Sequence, residues 1–318
     1  MQLGRSIVRQ TFRKLIQKLA KHDSRIVLIG CDQTNNAMSE FKAAFPTRFF
    51  MEGIAEQYVV GMAAGLATGG LIPYVHSIAT FITRRAFEQL FIDIGLQRLR
   101  VRIVGSGGGL AYSELGPTHT ALEDVALLRQ VPNMGICIPR SSRELEHLMV
   151  STLEWDGPLY IRLSSDVRED DRCPIGEMGR ACFLRHGKGA LILSTGLMSS
   201  AISDIEELLL QGALDPEVLH FATLRPFDSA TLCEAARRAD QIVVLEEHDR
   251  DGGLGSMVIE TLADAKILRP TTRIGTRFEP ALSYGSQLEI GANFGLHGPA
   301  LAQAVLAACV HPQRAASR

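Results

Sequence analysis

Residues 51–69 read MEGIAEQYVVGMAAGLATG, and this stretch has the composition of a buried helix. After Glu56 the segment carries no charge, and positions 61, 63, 64, 65 and 67 are glycine or alanine. A run this rich in small residues predicts a helix whose backbone is approached closely by another element. Burial disfavours the charged form of a carboxyl group, so Glu56 is predicted to share a proton with a partner. The alternative is an ordinary buried helix with Glu56 in solvent at its first turn.

The composition is that of a globular protein. Its 318 residues are enough for two domains, with 46% hydrophobic and 21% charged residues. The formal charge of −2 gives no reason to expect nucleic acid or an anionic membrane as a partner. Six cysteines, none in a CxxC pair, are typical of reduced thiols. With no signal peptide and no apolar run of membrane length, a cytoplasmic location is expected.

Short apolar runs alternate with helical patterns along the chain. Strands are predicted within 24–32, 71–79, 100–108, 134–140, 158–164, 189–196, 216–226 and 241–248. This alternation predicts an α/β fold with a doubly wound parallel sheet covered on both faces. A polar, Pro- and Gly-containing segment interrupts the pattern and predicts a linker over 171–184. The predicted domains are therefore 1–170 and a smaller α/β unit, 185–312.

Five segments together resemble one enzyme family. They are GIAEQYVVGMAAGLA (53–67), HSIATFITRRAFEQLFIDIGLQ (76–97), GPTHTALEDVALLRQVPNMGICIPRSSRELEHL (116–148), GPLYIRL (157–163) and EEHDRDGGLGSMVIETL (246–262). In this order they resemble transketolases and 1-deoxyxylulose-5-phosphate synthases. Those enzymes also have an N-terminal half with a GDG…N motif, which holds magnesium and the diphosphate of thiamin diphosphate, and no GDG occurs here. The chain therefore resembles the C-terminal subunit of a split transketolase: a pyrimidine-binding domain, then a smaller transketolase C-terminal domain.

The resemblance implies roles for single residues. Glu56 would hydrogen-bond the ring nitrogen of the cofactor's aminopyrimidine, which then acts as the base. Phe81 would stack on the pyrimidine, Ile78 would form another wall, and Asp32 would contact the cofactor. His119 would act as a catalytic residue facing the substrate oxygen. The alternatives are a core position for Phe81 and helix caps for Asp32 and His119.

The expected substrate site departs from the sugar-phosphate pattern. Gly107 stands where the family has a histidine, Leu115 where it has an acid, and Ser165 where an arginine grips the substrate phosphate. Arg84 and Arg162 match the family and remain candidates to bind an anion. Losing three polar groups predicts an unphosphorylated or otherwise atypical acceptor.

The reaction implied is transfer of a two-carbon ketol or acyl unit to an aldehyde or keto acid. The implied cofactors are thiamin diphosphate and Mg²⁺, the latter held mainly by a partner, and no metal ligand is assigned to this chain. The expected assembly is an α2β2 heterotetramer with an N-terminal transketolase-like subunit, active only when assembled. Alternatives are an acyloin-forming or decarboxylating enzyme using an α-keto acid, a catalytically silent regulatory subunit, and a cofactor-free α/β binding module.

Overall fold

The structure is a computed structural model that describes residues 7–31, 34, 37–164, 174–277 and 284–310. Its first sheet has seven strands in the order β10-β5-β6-β4-β3-β1-β2, parallel except for β10. The strands are β1 (Ile26–Gly30), β2 (Phe49–Met51), β3 (Ile72–Ile78), β4 (Arg102–Ser106), β5 (Gly135–Cys137), β6 (Leu159–Leu163) and β10 (Thr223–Arg225). The α/β class with a doubly wound parallel sheet is confirmed.

The second sheet has five strands in the order β12-β11-β8-β9-β7, parallel except for β7. They are β7 (Ala181–Arg185), β8 (Ala190–Ser194), β9 (Glu217–Phe221), β11 (Gln241–Asp249) and β12 (Thr271–Thr276). Strand β7 begins inside the segment predicted as a linker. The exact domain boundaries stay a prediction.

Helices cover both faces of the first sheet. The α-helices of the described residues are Ile7–His22, Ser39–Ala44, Glu56–Thr68, Ala79–Arg84, Phe87–Gln89, Asp124–Leu128, Ser142–Glu154, Leu197–Gln211, Ser229–Arg238, Leu254–Asp264, Gln287–Asn293 and Gly298–Val310. A π-helical segment spans Leu90–Gly95, and 3₁₀ turns span Pro46–Arg48 and Ser113–Leu115. None of the helices within the described ranges is long and apolar enough to cross a membrane.

Two apolar cores explain why the strands of the first sheet read as unbroken hydrophobic runs. Every residue of β1, β4, β5 and β6 is buried, as expected when helices cover both faces. On one face the helix Glu56–Thr68 packs against β3, and on the other the helices Ile7–His22 and Ser142–Glu154 pack together. The sheet therefore positions the helix that begins at Glu56.

The register of the central strands aligns their carboxyl ends. Gly30 pairs with His76, while Ser106 pairs with both Ile78 and Leu163. The segments that follow β3 and β4 therefore leave the sheet on the same side, at the carboxyl ends of the strands, where parallel α/β sheets bind their ligands.

The predicted strand over 216–226 is wrong as a single element. It divides into β9, which belongs to the second sheet, and β10, which pairs antiparallel with β5 of the first sheet. A three-residue strand directly after another leaves no break in the hydrophobic pattern. The two halves of the chain consequently share a sheet.

Candidate active site

Glu56 is the first residue of its helix and only 1% of its surface is exposed. Its carboxylate oxygen Oε2 accepts a hydrogen bond from Nη1 of Arg85 at 2.5 Å, and Oε1 accepts one from Oγ of Ser77 at 3.4 Å. The alternative in which Glu56 faces solvent is therefore wrong. Its buried carboxylate is satisfied by donors from strand β3 and from the turn that follows the next helix.

An aromatic ring lies against the guanidinium that pairs with this carboxylate. Phe81 sits in the helix Ala79–Arg84, directly after β3, and the guanidinium carbon of Arg85 lies 4.9 Å from its ring centroid. The ring of His119 meets Phe81 edge-on, with centroids 5.1 Å apart. Glu56, Arg85, Phe81 and His119 form one continuous series of contacts, which we call the Glu56–His119 row. Ile78, the half-buried last residue of β3, immediately precedes this helix.

Arg84 supports the loop that carries His119. Its guanidinium forms an ion pair with Glu123 and donates to the carbonyl oxygen of Thr120 at 3.2 Å. Nδ1 of His119 is 2.9 Å from the hydroxyl of Thr118. Arg84 therefore lies beside the Glu56–His119 row, close to His119, and its positive charge is paired with Glu123.

The loop after β4 is closed by an aromatic side chain that the sequence analysis missed. Gly107 has a φ of +81°, and a Cβ there would lie 2.1 Å from the ring of Tyr112. The hydroxyl of Tyr112 accepts a hydrogen bond from Arg9 at 2.5 Å. A histidine at position 107 would displace this ring. Leu115, at the end of the same loop, is half-buried.

Arg162 lies in a buried charge cluster between the two halves of the chain. It donates to Asp124 Oδ2 at 2.7 Å and to the carbonyl oxygens of Ala121 and Glu247 at 2.9 and 3.1 Å. Burial alone would raise the pKa of Asp124, but the charge and hydrogen bond of Arg162 outweigh it and lower that pKa. These contacts are internal, so a role for Arg162 in substrate binding stays a prediction.

Two predicted site residues, Asp32 and Ser165, lie outside the described residues. The structure also adds Arg85 and Asp124 to the set worth testing. Arg85 stands in the quoted TRRAF motif, and the doubled arginine was the available signal. Within the described part of the chain, no cluster of three or more His, Cys, Asp or Glu side chains is arranged to hold a metal ion.

The helix Glu56–Thr68 presents small residues outward as well as inward. Ala63 and Ala64 are buried against the sheet, but a Cβ added at Gly61 or Gly65 would meet nothing within 4 Å. Tyr58, on the same outer face, is 60% exposed. The close approach predicted at these two glycines is not made by any described residue of this chain.

The fold, with a buried glutamate at the start of a helix that packs on the first sheet, is that of an α/β enzyme subunit. Comparisons with protein families identify which family it is. The family "Transketolase, pyrimidine binding domain" matches residues 7–167, and "Transketolase, C-terminal domain" matches residues 179–298. The chain belongs to the transketolase family.

Several relatives are subunits of similar length. The chain is 35% identical to a 6-deoxy-6-sulfo-D-fructose transketolase subunit of Clostridium sp. (strain MSTE9), over 85% of this chain and 84% of the relative. It is 32% identical to an apulose-4-phosphate transketolase subunit of Phocaeicola vulgatus, over 91% of this chain and 93% of that subunit. Against the 1-deoxy-D-xylulose-5-phosphate synthase of Heliobacterium modesticaldum it is 33% identical, over 92% of this chain but only 46% of that enzyme.

Solved structures agree with this assignment. A structure described as "Split gene transketolase, inactive beta4 tetramer" superposes with a TM-score of 0.85 and 32% identity, covering 96% of this chain and 97% of that one. A transketolase mutant from Pichia stipitis gives a TM-score of 0.80 at 17% identity, which shows the shared fold, over 98% of this chain and 47% of that one. The predicted resemblance to a split transketolase subunit is confirmed.

Proposed function

We propose that this chain is the pyrimidine-binding subunit of a split transketolase that uses thiamin diphosphate. The enzyme would transfer a two-carbon ketol or acyl unit to an aldehyde or keto acid. The observation that carries the proposal is the buried Glu56, which Arg85 links to Phe81, whose ring in turn meets His119. The cysteine usage supports a cytoplasmic location.

The described residues fit the aminopyrimidine of that cofactor. A planar group with N–H donors, the guanidinium of Arg85, already lies against the ring of Phe81 and donates to Glu56. The space between these two side chains therefore accepts a flat group that stacks and donates. Bound thiamin diphosphate supplies an acidic carbon that adds to carbonyl groups and then holds their electrons.

Each residue of the site then has a defined task. Glu56 holds and returns a proton at the pyrimidine ring nitrogen, in a buried place where water does not compete. Phe81 stacks on the pyrimidine, and Ile78 forms a further wall. His119 hydrogen-bonds the substrate oxygen and stabilises the charge that develops there. Asp32 is proposed as a further cofactor contact.

The diphosphate and Mg²⁺ are proposed to be held by a partner. No GDG motif occurs in the sequence. Two of the relatives are named as transketolase subunits, and a related structure is described as a split-gene transketolase, inactive beta4 tetramer. We infer an N-terminal transketolase-like partner and an α2β2 assembly, without which the chain is inactive.

The acceptor is proposed to be other than a common sugar phosphate. Leu115 is apolar where the family has an acid, and Ser165 replaces a phosphate-gripping arginine. Two of the relatives named above are subunits of a 6-deoxy-6-sulfo-D-fructose transketolase and of an apulose-4-phosphate transketolase, whose names give atypical sugars. Arg84, beside His119, is the proposed anion contact, and binding would require it to exchange its ion pair with Glu123.

The test is Glu56→Gln in the assembled complex. The amide keeps the shape but cannot exchange the proton, so kcat for carboligation should fall by about a hundredfold or more, while assembly with the partner is unchanged. Glu154→Gln, an exposed glutamate in another helix, is the matched control and should retain wild-type turnover. Near-normal kcat for Glu56→Gln at saturating cofactor would remove Glu56 from the proposed role.

A further inference from the structure

Arg85 makes both of the contacts that the proposed function assigns to the aminopyrimidine. Its Nη1 donates to Glu56 Oε2 at 2.5 Å, and its guanidinium carbon lies 4.9 Å from the centroid of the Phe81 ring. A guanidinium is planar, positively charged and rich in N–H donors. In shape and hydrogen bonding it resembles a protonated aminopyrimidine.

The two groups compete for the same place. The acceptor oxygen that would bind the pyrimidine is already taken at 2.5 Å, and Arg85 covers a face of the ring on which the pyrimidine would stack. A ring that donates to Glu56 while it stacks on Phe81 needs the volume of the guanidinium. Arg85 must therefore leave before such a ring enters.

The burial of the two partners differs greatly. The Glu56 side chain is 1% exposed, whereas the Arg85 side chain is 44% exposed. A buried carboxylate left without a partner is costly, so Arg85 stabilises Glu56 as long as the site holds nothing else. Arg85 itself is already partly in water, and swinging outward costs its guanidinium little desolvation.

We propose that Arg85 is a place-holder for the aminopyrimidine: it fills the site between Glu56 and Phe81 and is displaced when the cofactor binds. This inference rests on the proposed function and adds to it a residue that sets the apparent cofactor affinity. The apparent Kd equals the intrinsic Kd divided by the fraction of molecules in which Arg85 is out of the site, so it rises as more molecules hold Arg85 between Glu56 and Phe81, the closed state. The closed pair also keeps the buried carboxylate compensated before the holoenzyme forms.

Arg84 supplies a matched comparison from the neighbouring position. It is an arginine of similar exposure, but its carboxylate partner is Glu123 and it makes no described contact with Glu56. Removing Arg84 deletes one positive charge from the same turn and leaves the Glu56–Phe81 space occupied by Arg85. Any general effect of charge on the binding of a negatively charged cofactor will therefore appear in both variants.

The experiment is calorimetric titration of Mg²⁺–thiamin diphosphate into the chain assembled with its diphosphate-binding partner. Arg85→Ala should lower the cofactor Kd by about tenfold if Arg85 is closed in about nine molecules of ten. Arg85→Gln, which loses the charge but keeps a planar amide, should also lower the Kd and serves if the alanine variant does not fold. Arg84→Ala should leave the Kd within about twofold of wild type.

A lower Kd in the Arg85 variants alone supports the place-holder. An unchanged or higher Kd in those variants, or an equal gain in Arg84→Ala, overturns it. If the wild-type complex binds no thiamin diphosphate, the proposed function fails and this inference fails with it. If the wild-type complex binds the cofactor but the Arg85 variants show no gain in affinity, only this inference fails.

Discussion

Asp124 shows how a single carboxylate joins the two halves of the molecule. Its Oδ2 accepts hydrogen bonds from the Tyr160 hydroxyl and from Arg162, both at 2.7 Å, and it is fully buried. Arg162 in turn donates to the backbone of Glu247 in β11. Because these charges have no access to water, each depends on the other for compensation.

We expect Asp124→Asn to lower the free energy of unfolding by about 3–5 kcal/mol, since it leaves the Arg162 charge buried without a counter-ion. Urea unfolding of the isolated chain, followed by circular dichroism, measures this. The control is Asp156→Asn, which removes an exposed ion pair with Arg98 and should change stability by less than about 1 kcal/mol. Equal effects of the two substitutions would mean that the Asp124 cluster is not a stabilising unit.

At this scale the sequence is informative about residues that act alone. Glu56, Phe81 and His119 stand in recognisable motifs, and the structure brings them into one row. Arg85 and Asp124 escape sequence reasoning because their importance depends on a partner. The partner of Arg85 is 29 residues away and that of Asp124 is 38 residues away. Only the fold shows which distant residues meet.

Between elements, a buried hydrogen-bond chain connects the first turn of the helix Ser142–Glu154 to the second sheet. His220 of β9 lies 3.1 Å from Glu144 through Nε2 and 2.6 Å from the hydroxyl of Ser199 through Nδ1. The order serine, histidine, glutamate is that of a hydrolase triad. Ser199 is only 1% exposed, so its hydroxyl is not accessible to a substrate as a nucleophile. The hydrogen bonds instead connect the helix Ser142–Glu154 to strand β9.

The hydrogen bonds of Glu144 predict that the protein loses stability at low pH. Burial alone would raise the pKa of Glu144, but the charge and hydrogen bond of His220 and two backbone N–H donors lower it to about 2 from 4.5. The contribution is therefore complete above about pH 4.5 and is lost as the pH falls towards 2, by up to about 3 kcal/mol. Urea midpoints at pH 5 and pH 3 should differ less in Glu144→Gln than in wild type.

The control for that measurement lies in the same helix. Glu154→Gln removes an exposed carboxyl group and should keep the wild-type difference between the two pH values. An unaltered pH dependence in Glu144→Gln would place the acid sensitivity elsewhere.

The strands that the sequence does not predict share one property, which is that each is the outermost strand of a sheet. Strands β2, β7 and β12 are each the outermost strand of a sheet, as is β10, which the hydrophobic pattern does not separate from β9. The outermost strands β7 and β12 carry many half-buried positions, and β2 is only three residues long. The central strands are buried on both faces, so their apolar runs are easily recognised.

For the whole molecule, the outer face of the helix Glu56–Thr68 bears on assembly. Tyr58, Gly61 and Gly65 are three and four residues apart and so share one helix face. Apart from the neighbouring residues and backbone of its own helix, no described atom lies within 4 Å of a Cβ built at either glycine. The proposed partner subunit, or a second copy of this chain, would find an open helix backbone in the helix that begins at Glu56.

We expect Gly65→Leu to prevent assembly without harming the chain itself. Within the chain the side chain has room, and replacing a helical glycine should raise the free energy of unfolding by up to about 1 kcal/mol. In the complex the same side chain would keep the partner's backbone away. Analytical ultracentrifugation of the variant mixed with the partner measures this. Lys18→Leu, at an exposed position in another helix, should assemble normally.

If Gly65→Leu forms the wild-type complex, this helix face is not an interface.

Strand β10 has a practical consequence for anyone who divides this chain. A fragment that ends in the predicted linker would lack its seventh strand and expose the edge of β5, a template for unwanted pairing between molecules. The C-terminal fragment would carry β10 without β5, the strand with which it pairs. Reporter halves or domain chimeras built from this subunit should therefore graft residues 223–225 back beside β5, or leave the chain uncut.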